Sequence, residues 1–493
     1  MKNALLHIPS CSPEEVGIPS AAVERYIRSL DAERIPWHDI LVMRRGKLCC
    51  EAYWKPFHAQ FRHRLYSCSK SFVALAAGLL IDQGLLSMED KVLRFFPEAP
   101  ADPHPWLAEM TIHDLLRMRT CYEEGTTYAG LSSNWIDTFF TAEITHKPGQ
   151  VYAYSTTATT MLCVIIRRVC GKEFMELLRP AFDALGISRE AFCVEMPDGY
   201  EWGGSGVCLT AREFLRFADL CTHYGEFEGQ QLLPEWFVRE AVSKHSDNTL
   251  ESDSRDIAEG YGYHFRVMRE GFVMRGMGGQ YALCFPEREL TIVINAYEEL
   301  SKNFSVVFKE LFERLLPELR EQPLPADPSA QASLAALTEN LKLPLPKGAA
   351  SSPLAWKLSG KTFRMTENRL GWRSLRFDFS GDEGVLTYVN ARGEHTLRFG
   401  FRDFAAQPFP ETHYSGRRIG TPYGKGYDCL TAAAWSGPDS LAIYCHIADI
   451  YHGNLRMTFG FGDDWVTLRA KKHAEWFMDD YEGFASGFLA ERE

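Results

Sequence analysis

The chain has 493 residues, more than one hydrophobic core usually serves, so its length predicts two domains or one large domain with an appendage. Hydrophobic residues make up 45% of the sequence and charged residues 24%, which excludes a disordered chain and a small disulfide-stapled scaffold. The formal net charge of −12 offers no attraction for nucleic acid or an anionic membrane, so neither is expected as a partner.

The first third of the sequence carries hairpin and helix signals. Residues 40–53 form two apolar runs around Arg-Arg-Gly-Lys, which predicts a β-hairpin. Residues 69–83 repeat apolar side chains at helical spacing until Gly84, which predicts a buried helix. Thr111 precedes an acidic residue in the first turn of a helical pattern, and so does Thr210 in the middle of the chain. Both threonines are therefore predicted N-caps.

Strand signals return at residues 281–285 and 290–295, with a turn between them, and a helix is expected over residues 303–316. Strands near both ends of this region, with helices between them, predict an α+β fold. Its N- and C-terminal segments would share one antiparallel sheet flanked by helices. This first domain is predicted to span residues 1–322.

The composition changes after this domain. Residues 323–353 are rich in proline around a short Ala/Leu-rich helical piece, which predicts a linker. Residues 354–493 alternate short apolar segments with glycine-rich turns, which predicts an all-β domain, either a sandwich or a small barrel. Trp356, Trp372 and Trp435 of this domain could line a ligand cavity, although core packing is the commoner use of such side chains.

Cysteine spacing and apolar runs bear on the cellular compartment. The 13 cysteines, an odd number, lie in apolar stretches without Cys-x-x-Cys pairs, so buried reduced thiols are expected. The longest apolar stretch, residues 72–81, is shorter than the about 20 residues of a membrane span. The N-terminal residues lack an apolar run long enough for export, so a cytoplasmic location is expected.

One short motif indicates the chemistry. Ser67 and Lys70 form a Ser-x-x-Lys motif where a loop meets the predicted helix, and this spacing brings hydroxyl and amine to one helical face. A lysine desolvated by apolar neighbours can take the proton of a serine, and free N–H groups at a helix start can stabilise an oxyanion. The alternative is an N-cap serine beside a solvated lysine, and the motif alone leaves both interpretations open.

The sequence around this motif resembles the serine β-lactamase and penicillin-binding-protein-like superfamily, whose signature is Ser-x-x-Lys followed by an apolar helix. Further stretches resemble that family's landmarks and extend the resemblance over residues 13–316: these are residues 13–18, 84–92, 96–98 and 111–116. The resemblance implies a serine hydrolase that forms an acyl-enzyme and cleaves an ester or amide of a small substrate. No metal and no other cofactor is expected.

The resemblance also implies the proton-transfer groups. The family's Tyr-x-Asn-type triplet matches residues 154–156, which makes Tyr154 the partner base and leaves Tyr152 as a competing candidate. Lys70 is expected to take the serine proton, and Tyr154 to pass it to the leaving group and later to activate water. Thr156 stands where the family has asparagine, so contact with a substrate amide is expected to be weakened or altered.

The family's third element is a Lys-Thr-Gly or His-x-Gly strand, and residues 274–281 match it best. Gly276 would let the strand backbone approach the substrate, and the N–H of Met277 would be the second oxyanion donor beside that of Ser67. Gly278 is assigned to the same substrate-binding stretch. A simple glycine turn between strands is compatible with the same residues.

This third element departs from the family pattern. Met274 stands where a basic residue is usual and cannot attract a substrate carboxylate, although Arg275 could do so if it points inward. The Gly-Gly-Gln that follows resembles the esterase and amide-hydrolase relatives, including the 6-aminohexanoate-dimer hydrolases, rather than true β-lactamases. Two alternatives therefore stay open: a D-amino-acid peptidase, and a catalytically silent receptor on the same fold.

The remaining features give no second catalytic site. The glycine-rich stretch at residues 202–210 is interpreted as structural, and His63, His113 and His264 lack the acidic partner spacing of a Ser-His-Asp triad. The C-terminal domain resembles the lipocalin-like β-barrel appended to some superfamily members. It is expected to shape access to the active site or to mediate oligomerisation, which leaves a homo-oligomer as an open expectation.

Overall fold

The computed structural model describes residues 5–123, 134–251, 255–297, 305–411, 426–449, 452–474 and 481–490. The chain divides into two units, one of Met1–Ala296 and Leu300–Leu343, the other of Tyr297–Glu299 and Pro344–Glu493. Within the described ranges, none of the helices is both long and apolar enough to cross a membrane. The 13 cysteines are all free thiols, but Cys11 and Cys170 are partly exposed, so the expectation of burial was wrong for these two.

The first unit contains the following helices: α1 Ser20–Ala32, α2 Ser69–Asp82, α3 Pro105–Glu109, α4 Ile112–Leu116, α5 Trp135–Thr141, α6 Thr156–Cys170, α7 Phe174–Leu177, α8 Arg179–Ala184, α9 Ala211–Thr222, α10 Glu235–Ala241, α11 Ser305–Glu310 and α12 Pro328–Asn340. Its strands are β1 Trp37–Arg44, β2 Lys47–Tyr53, β3 Arg62–Arg64, β4 Phe192–Cys193, β5 Val207–Thr210, β6 Glu226–Phe227, β7 Gln230–Gln231, β8 Gly260–Tyr261, β9 Arg266–Val267, β10 Phe272–Gly276, β11 Gln280–Phe285 and β12 Leu290–Ala296.

The main sheet of this unit has the order β2-β1-β12-β11-β10-β9-β8, and its neighbouring strands are antiparallel. Strand β1, near the N-terminus, therefore pairs with β12 from the end of the unit, which confirms the predicted sharing of one sheet. The predicted hairpin is also confirmed, since β1 and β2 are joined at Arg45 and Gly46, whose φ angles of 52° and 72° fit a type I′ turn.

Helices cover both faces of this sheet. The rings of Tyr281 and Phe285 on β11 contact Phe308 and Phe312, which lie in and just after α11. The Cys284 thiol between them points to the other face and donates to the Ala218 carbonyl of α9. Successive strand residues face opposite sides, so a strand buried between two helical layers needs apolar side chains on both faces. The residues of β11 are all buried, and they are apolar from Tyr281 to Phe285.

The predicted helix starts are confirmed at both threonines. Thr111 and Thr210 each cap a helix, α4 and α9, and each exchanges side-chain hydrogen bonds with the acidic residue three positions on. The helix expected over residues 303–316 is regular only over Ser305–Glu310, and a π-helical turn Leu311–Leu315 follows it. Pro317 cannot donate a helical hydrogen bond, and the segment ends in a 3₁₀ turn, Leu316–Glu318, that contains it; residues 303–304 lie outside the described residues.

The second unit contains helix α13 Pro353–Leu358 and the following strands: β13 Thr362–Met365, β14 Ser374–Ser380, β15 Glu383–Asn390, β16 Gly393–Gly400, β17 Ala405–Pro408, β18 Asp428–Trp435, β19 Ser440–Ala448, β20 His452–Phe461, β21 Trp465–Ala474 and β22 Gly483–Leu489. Nine of them close into a barrel in the order β16-β15-β14-β13-β22-β21-β20-β19-β18, and a parallel bridge between Gly400 and Ala432 completes the ring. This barrel confirms the all-β prediction, while its likeness to lipocalins and the predicted boundaries at 322 and 353 stay predictions.

Aromatic side chains fill the barrel. Trp372 and Trp435 are buried in its core, and the Trp372 ring stacks on that of Tyr388 with ring centres 4.3 Å apart. Trp356 on α13 is instead 73% exposed. Core packing is therefore the use of Trp372 and Trp435, whereas Trp356 is not part of this core.

Candidate active site

Ser67 lies in a 3₁₀ turn, Tyr66–Cys68, that joins strand β3 to the buried helix α2. The turn is sharp because Tyr66, directly before the serine, has a φ of 49°, a left-handed conformation that non-glycine residues rarely adopt. The Arg64 guanidinium lies 4.7 Å from the centre of the Tyr66 ring and donates a hydrogen bond of 2.8 Å to the Ser205 carbonyl. These contacts hold the strained turn in place and put Ser67 at the mouth of the helix.

Lys70 is buried beside Ser67. Its side chain is 1% exposed, and Nζ donates to Ser67 Oγ at 3.0 Å and to the Gly204 carbonyl at 2.6 Å. The alternative of a solvated first-turn lysine is therefore wrong. Gly204 belongs to the glycine-rich stretch at residues 202–210, interpreted from sequence as structural, yet its carbonyl accepts a hydrogen bond from Lys70. Every residue has a backbone carbonyl, so no sequence pattern could mark this contact.

Neighbouring segments hold the first turn of α2 on every side. The Ser69 hydroxyl accepts a hydrogen bond of 3.0 Å from the Val207 N–H, and the Ser71 hydroxyl donates one of 2.7 Å to the His264 carbonyl. The His264 Nδ1 lies 3.0 Å from the Lys70 carbonyl oxygen. Burial lowers the pKa of His264 to about 4, so this ring is neutral at neutral pH and acts as a structural clamp.

Tyr154 lies against the same lysine, just before α6 begins. Lys70 Nζ is 5.1 Å from the centre of the Tyr154 ring. Burial by itself raises the pKa of the Tyr154 phenol, but the Lys70 charge, hydrogen bonding to Ser67 and the Arg266 charge outweigh it, so that pKa is lowered from its ordinary value. A phenol with a lowered pKa beside a serine is chemically suited to accept and return a proton.

The competing tyrosine is in a different position. The Tyr152 hydroxyl is buried and has no hydrogen-bond partner among the described residues, and burial raises its pKa. Its ring packs on Tyr261, with ring centres 5.1 Å apart. Tyr154 thus lies next to Lys70, whereas Tyr152 packs against Tyr261.

The third predicted element is the hairpin of β10 and β11. A Cβ added to Gly276, the last residue of β10, would lie 2.2 Å from the Leu65 carbonyl oxygen, so only glycine allows this close approach to the segment that carries Ser67. Met277, Gly278 and Gly279 form the turn, with φ angles of 82° at Gly278 and 99° at Gly279. The Gln280 side-chain amide donates to the Met277 carbonyl at 3.4 Å and fixes the orientation of that peptide.

Three further predicted residues flank this group. Met274 is buried, and Arg275 is half-buried. Arg275 lies close enough to Cys68 to act on its thiol: burial raises the pKa of that thiol well above its ordinary value, and the charges of Lys70 and Arg275 oppose the rise. Thr156 begins α6, and a Cβ added to Gly204 would lie 2.7 Å from its methyl carbon. Binding of a substrate carboxylate by Arg275 and of a substrate amide by Thr156 stay predictions.

The charged neighbours of Tyr154 include residues that the sequence did not single out. Glu251 accepts the Tyr154 backbone N–H at 3.1 Å, and the Arg266 guanidinium carbon lies 5.5 Å from the Tyr154 ring centre. Neither residue stands near Tyr154 in the sequence, and no motif marks them.

In the part of the chain that the structure describes, no group of His, Cys, Asp or Glu side chains has the geometry to hold a metal ion.

The chain is similar to known proteins. A family model described as Beta-lactamase matches residues 23–301. The 6-aminohexanoate-dimer hydrolase of Paenarthrobacter ureafaciens is 23% identical over 230 residues, which are 43% of this chain and 59% of that relative, so the match leaves much of the relative's length uncovered.

Solved structures are similar at low sequence identity. The octameric penicillin-binding protein homologue from Pyrococcus abyssi has a TM-score of 0.49 and 15% identity, with 94% of this chain and 99% of that chain covered. The D-amino acid amidase from Ochrobactrum anthropi SV3, complexed with L-phenylalanine, has a TM-score of 0.48 and 16% identity, with 60% of this chain and 97% of that chain covered.

Proposed function

The chain belongs to the beta-lactamase family, and from this premise we propose that it is a serine hydrolase that forms an acyl-enzyme on Ser67. The observation that carries the proposal is the hydrogen bond of 3.0 Å from the buried Lys70 Nζ to Ser67 Oγ. Burial of a lysine amine costs solvation that its hydrogen bonds must offset, and arrangements of this kind cluster at functional sites, so this pair supports a catalytic role.

The proposed mechanism has two halves. Ser67 Oγ attacks the substrate carbonyl while its proton passes to the pair formed by Lys70 and Tyr154, and the N–H groups of Ser67 and Met277 stabilise the oxyanion. Tyr154 then protonates the leaving group. In the second half Tyr154 takes a proton from water as that water attacks the acyl-enzyme carbonyl. The bond from that carbon to Ser67 Oγ then breaks, and Tyr154 returns the proton to Oγ, which releases the acid and free Ser67.

The substrate is proposed to be an ester or amide of a small molecule. Met274 offers no charge for a β-lactam carboxylate, and the name of the 6-aminohexanoate-dimer hydrolase, 23% identical over part of the chain, supports an amide or ester rather than a β-lactam. Turnover of p-nitrophenyl acetate, D-alanyl p-nitroanilide and a chromogenic cephalosporin separates the candidates. Preference for the anilide would favour a D-amino-acid peptidase.

The silent-receptor alternative depends on Thr156 and Met274, which replace an amide and a basic side chain of the family pattern. A receptor would turn over none of the three substrates. It would still bind ligands in the cleft. Turnover of any one of the three substrates by the purified chain would therefore reject the receptor alternative, whereas binding alone would not.

The direct test is covalent labelling of Ser67 by a fluorophosphonate, read by intact mass and peptide mapping. We expect one label on the native chain, no label on Ser67→Ala and strongly slowed labelling of Lys70→Ala. Ser87→Ala, a change at an exposed serine, is the matched control and should label as the native chain does. Undiminished labelling of Ser67→Ala would put the nucleophile elsewhere.

A further inference from the structure

Beyond the three groups of the proposed mechanism, on which this inference rests, we propose that Arg266 is a positioning residue that acts through Tyr154. Its guanidinium is a second cation that favours the phenolate form of that tyrosine. The residue lies on β9, more than a hundred positions after Tyr154 in the sequence, and no family motif discussed above includes it.

The geometry sets two cations against one phenol. The Arg266 guanidinium carbon lies 5.5 Å from the Tyr154 ring centre and 5.8 Å from that of Tyr261, and Lys70 Nζ lies 5.1 Å from the Tyr154 ring centre. The Tyr261 ring stands edge-on to Tyr154 at 6.2 Å between centres. Arg266 thus lies near both Tyr154 and Tyr261, while Lys70 lies near Tyr154 and donates a hydrogen bond to Ser67.

One guanidinium nitrogen of Arg266 lacks a partner among the described residues. Its Nη1 atom is buried and has no hydrogen-bond acceptor in the described ranges, and no described carboxylate forms an ion pair with it. Buried donors without a partner are rare in folded proteins, and such exceptions call for a reason. A cation with a poorly solvated nitrogen acts on the titratable groups around it, and Tyr154 is one of these groups.

The other groups that face Tyr154 divide into supporting and opposing ones. Lys70 from α2 supports the phenolate, whereas the Glu251 carboxylate, which accepts the Tyr154 backbone N–H at 3.1 Å, opposes it. Tyr261 on β8 has its own pKa raised well above the ordinary value by burial, and Tyr152 behaves in the same way, so both stay neutral. Lys70 is therefore not the only group that favours the phenolate. Arg266 also lowers the pKa of Tyr154, against the opposing charge of Glu251.

The test uses the pH dependence of fluorophosphonate labelling, together with the ultraviolet titration of tyrosinate in the native chain minus that in Tyr154→Phe. In Arg266→Met we expect the acidic limb of labelling and the Tyr154 titration to move to higher pH by about one unit. That shift makes labelling roughly tenfold slower at a pH below both limbs. Arg266→Lys keeps the cation and should restore both curves; Arg266→Gln is a second neutral variant in case the methionine variant fails to fold.

Arg269→Met is the matched control, because Arg269 also stacks on an aromatic ring, with its guanidinium carbon 4.1 Å from the Phe312 ring centre, but pairs with Asp256. It should leave both curves unchanged. Neutral variants with unshifted curves would overturn the proposal, as would an Arg266→Lys variant that shifts as far as the neutral ones. Absence of any labelling of the native chain would instead refute the hydrolase proposal, while the tyrosinate titration would still decide the action of Arg266 on Tyr154.

Discussion

Replacing Gly276 by alanine tests whether β10 lies where the proposed oxyanion site needs it. The added Cβ would lie 2.2 Å from the Leu65 carbonyl oxygen and 3.0 Å from the Gln280 Cβ. Real Cβ atoms essentially never approach another atom closer than 3.0 Å, so the strand and the Leu65 segment have to separate by about 0.8 Å. Leu65 lies two residues before Ser67, and Met277 directly follows Gly276, so this separation pulls the two proposed N–H donors apart.

The expected cost follows from that displacement. A shift of about 1 Å at a reacting centre can cost roughly 100-fold in rate, and loss of one oxyanion donor costs about 10²–10³-fold. We therefore expect kcat/KM of Gly276→Ala for p-nitrophenyl acetate to fall by about 100-fold. Overpacking of this kind should also lower the free energy of unfolding by about 1–3 kcal/mol, measured by urea denaturation.

The control is Gly460→Ala in strand β20, where an added Cβ has no atom within 4 Å. It reports the general effect of a glycine-to-alanine change and should keep native activity. If Gly276→Ala retains kcat/KM within about threefold of the native chain, the close approach of β10 is not needed for catalysis and the assignment of Met277 is refuted.

Three further results are expected. Tyr154→Phe should lower kcat/KM by about 10²–10⁴-fold because the proton relay is lost, whereas Tyr152→Phe should stay near native in the same assay; equal losses would contradict the assignment. Because the pKa of Tyr154 is lowered from 10.0, hydrolysis should rise with pH through a midpoint below that value, and a midpoint at or above it would contradict the role of the lowered pKa. Burial raises the pKa of Glu201 from 4.5 to about 8, so the folded chain holds a proton that the unfolded chain loses, and stability falls as pH rises between those values. Glu201→Gln should therefore raise the melting temperature relative to the native chain at a pH of about 8 and much less at about 4.5, whereas Glu287→Gln at an exposed position should show no such trend; a gain independent of pH would point to another cause.

The features that could be predicted from sequence are those that depend on short-range spacing. Ser67 and Lys70 are three positions apart, so one helical turn brings them together whatever the rest of the fold does. The caps at Thr111 and Thr210 depend on a side chain and an N–H three residues on, and both are present. Tyr154 needed the family resemblance, because nothing local ties it to Lys70.

The features that sequence could not predict depend on tertiary contacts. Gly204 contributes a carbonyl, which has no residue-type signature, and the contact of Arg266 with Tyr154 follows from the register of the sheet edge. The left-handed conformation of Tyr66 is also unmarked, since tyrosine has no preference for it and only the surrounding contacts impose it. Such positions hold the proposed site together without belonging to any motif.

The pairing of β1 with β12 has a consequence for the order of synthesis. A ribosome makes Trp37–Arg44 about 250 residues before Leu290–Ala296, so for about half of translation one edge of β1 has no final partner. That edge is apolar, with Ile40, Leu41 and Val42 buried in the finished sheet, and an open apolar edge invites pairing with other chains. Nascent chains released before Leu290 should therefore aggregate or depend on chaperones, whereas the barrel unit, encoded almost entirely downstream, begins to emerge only after this risk has passed.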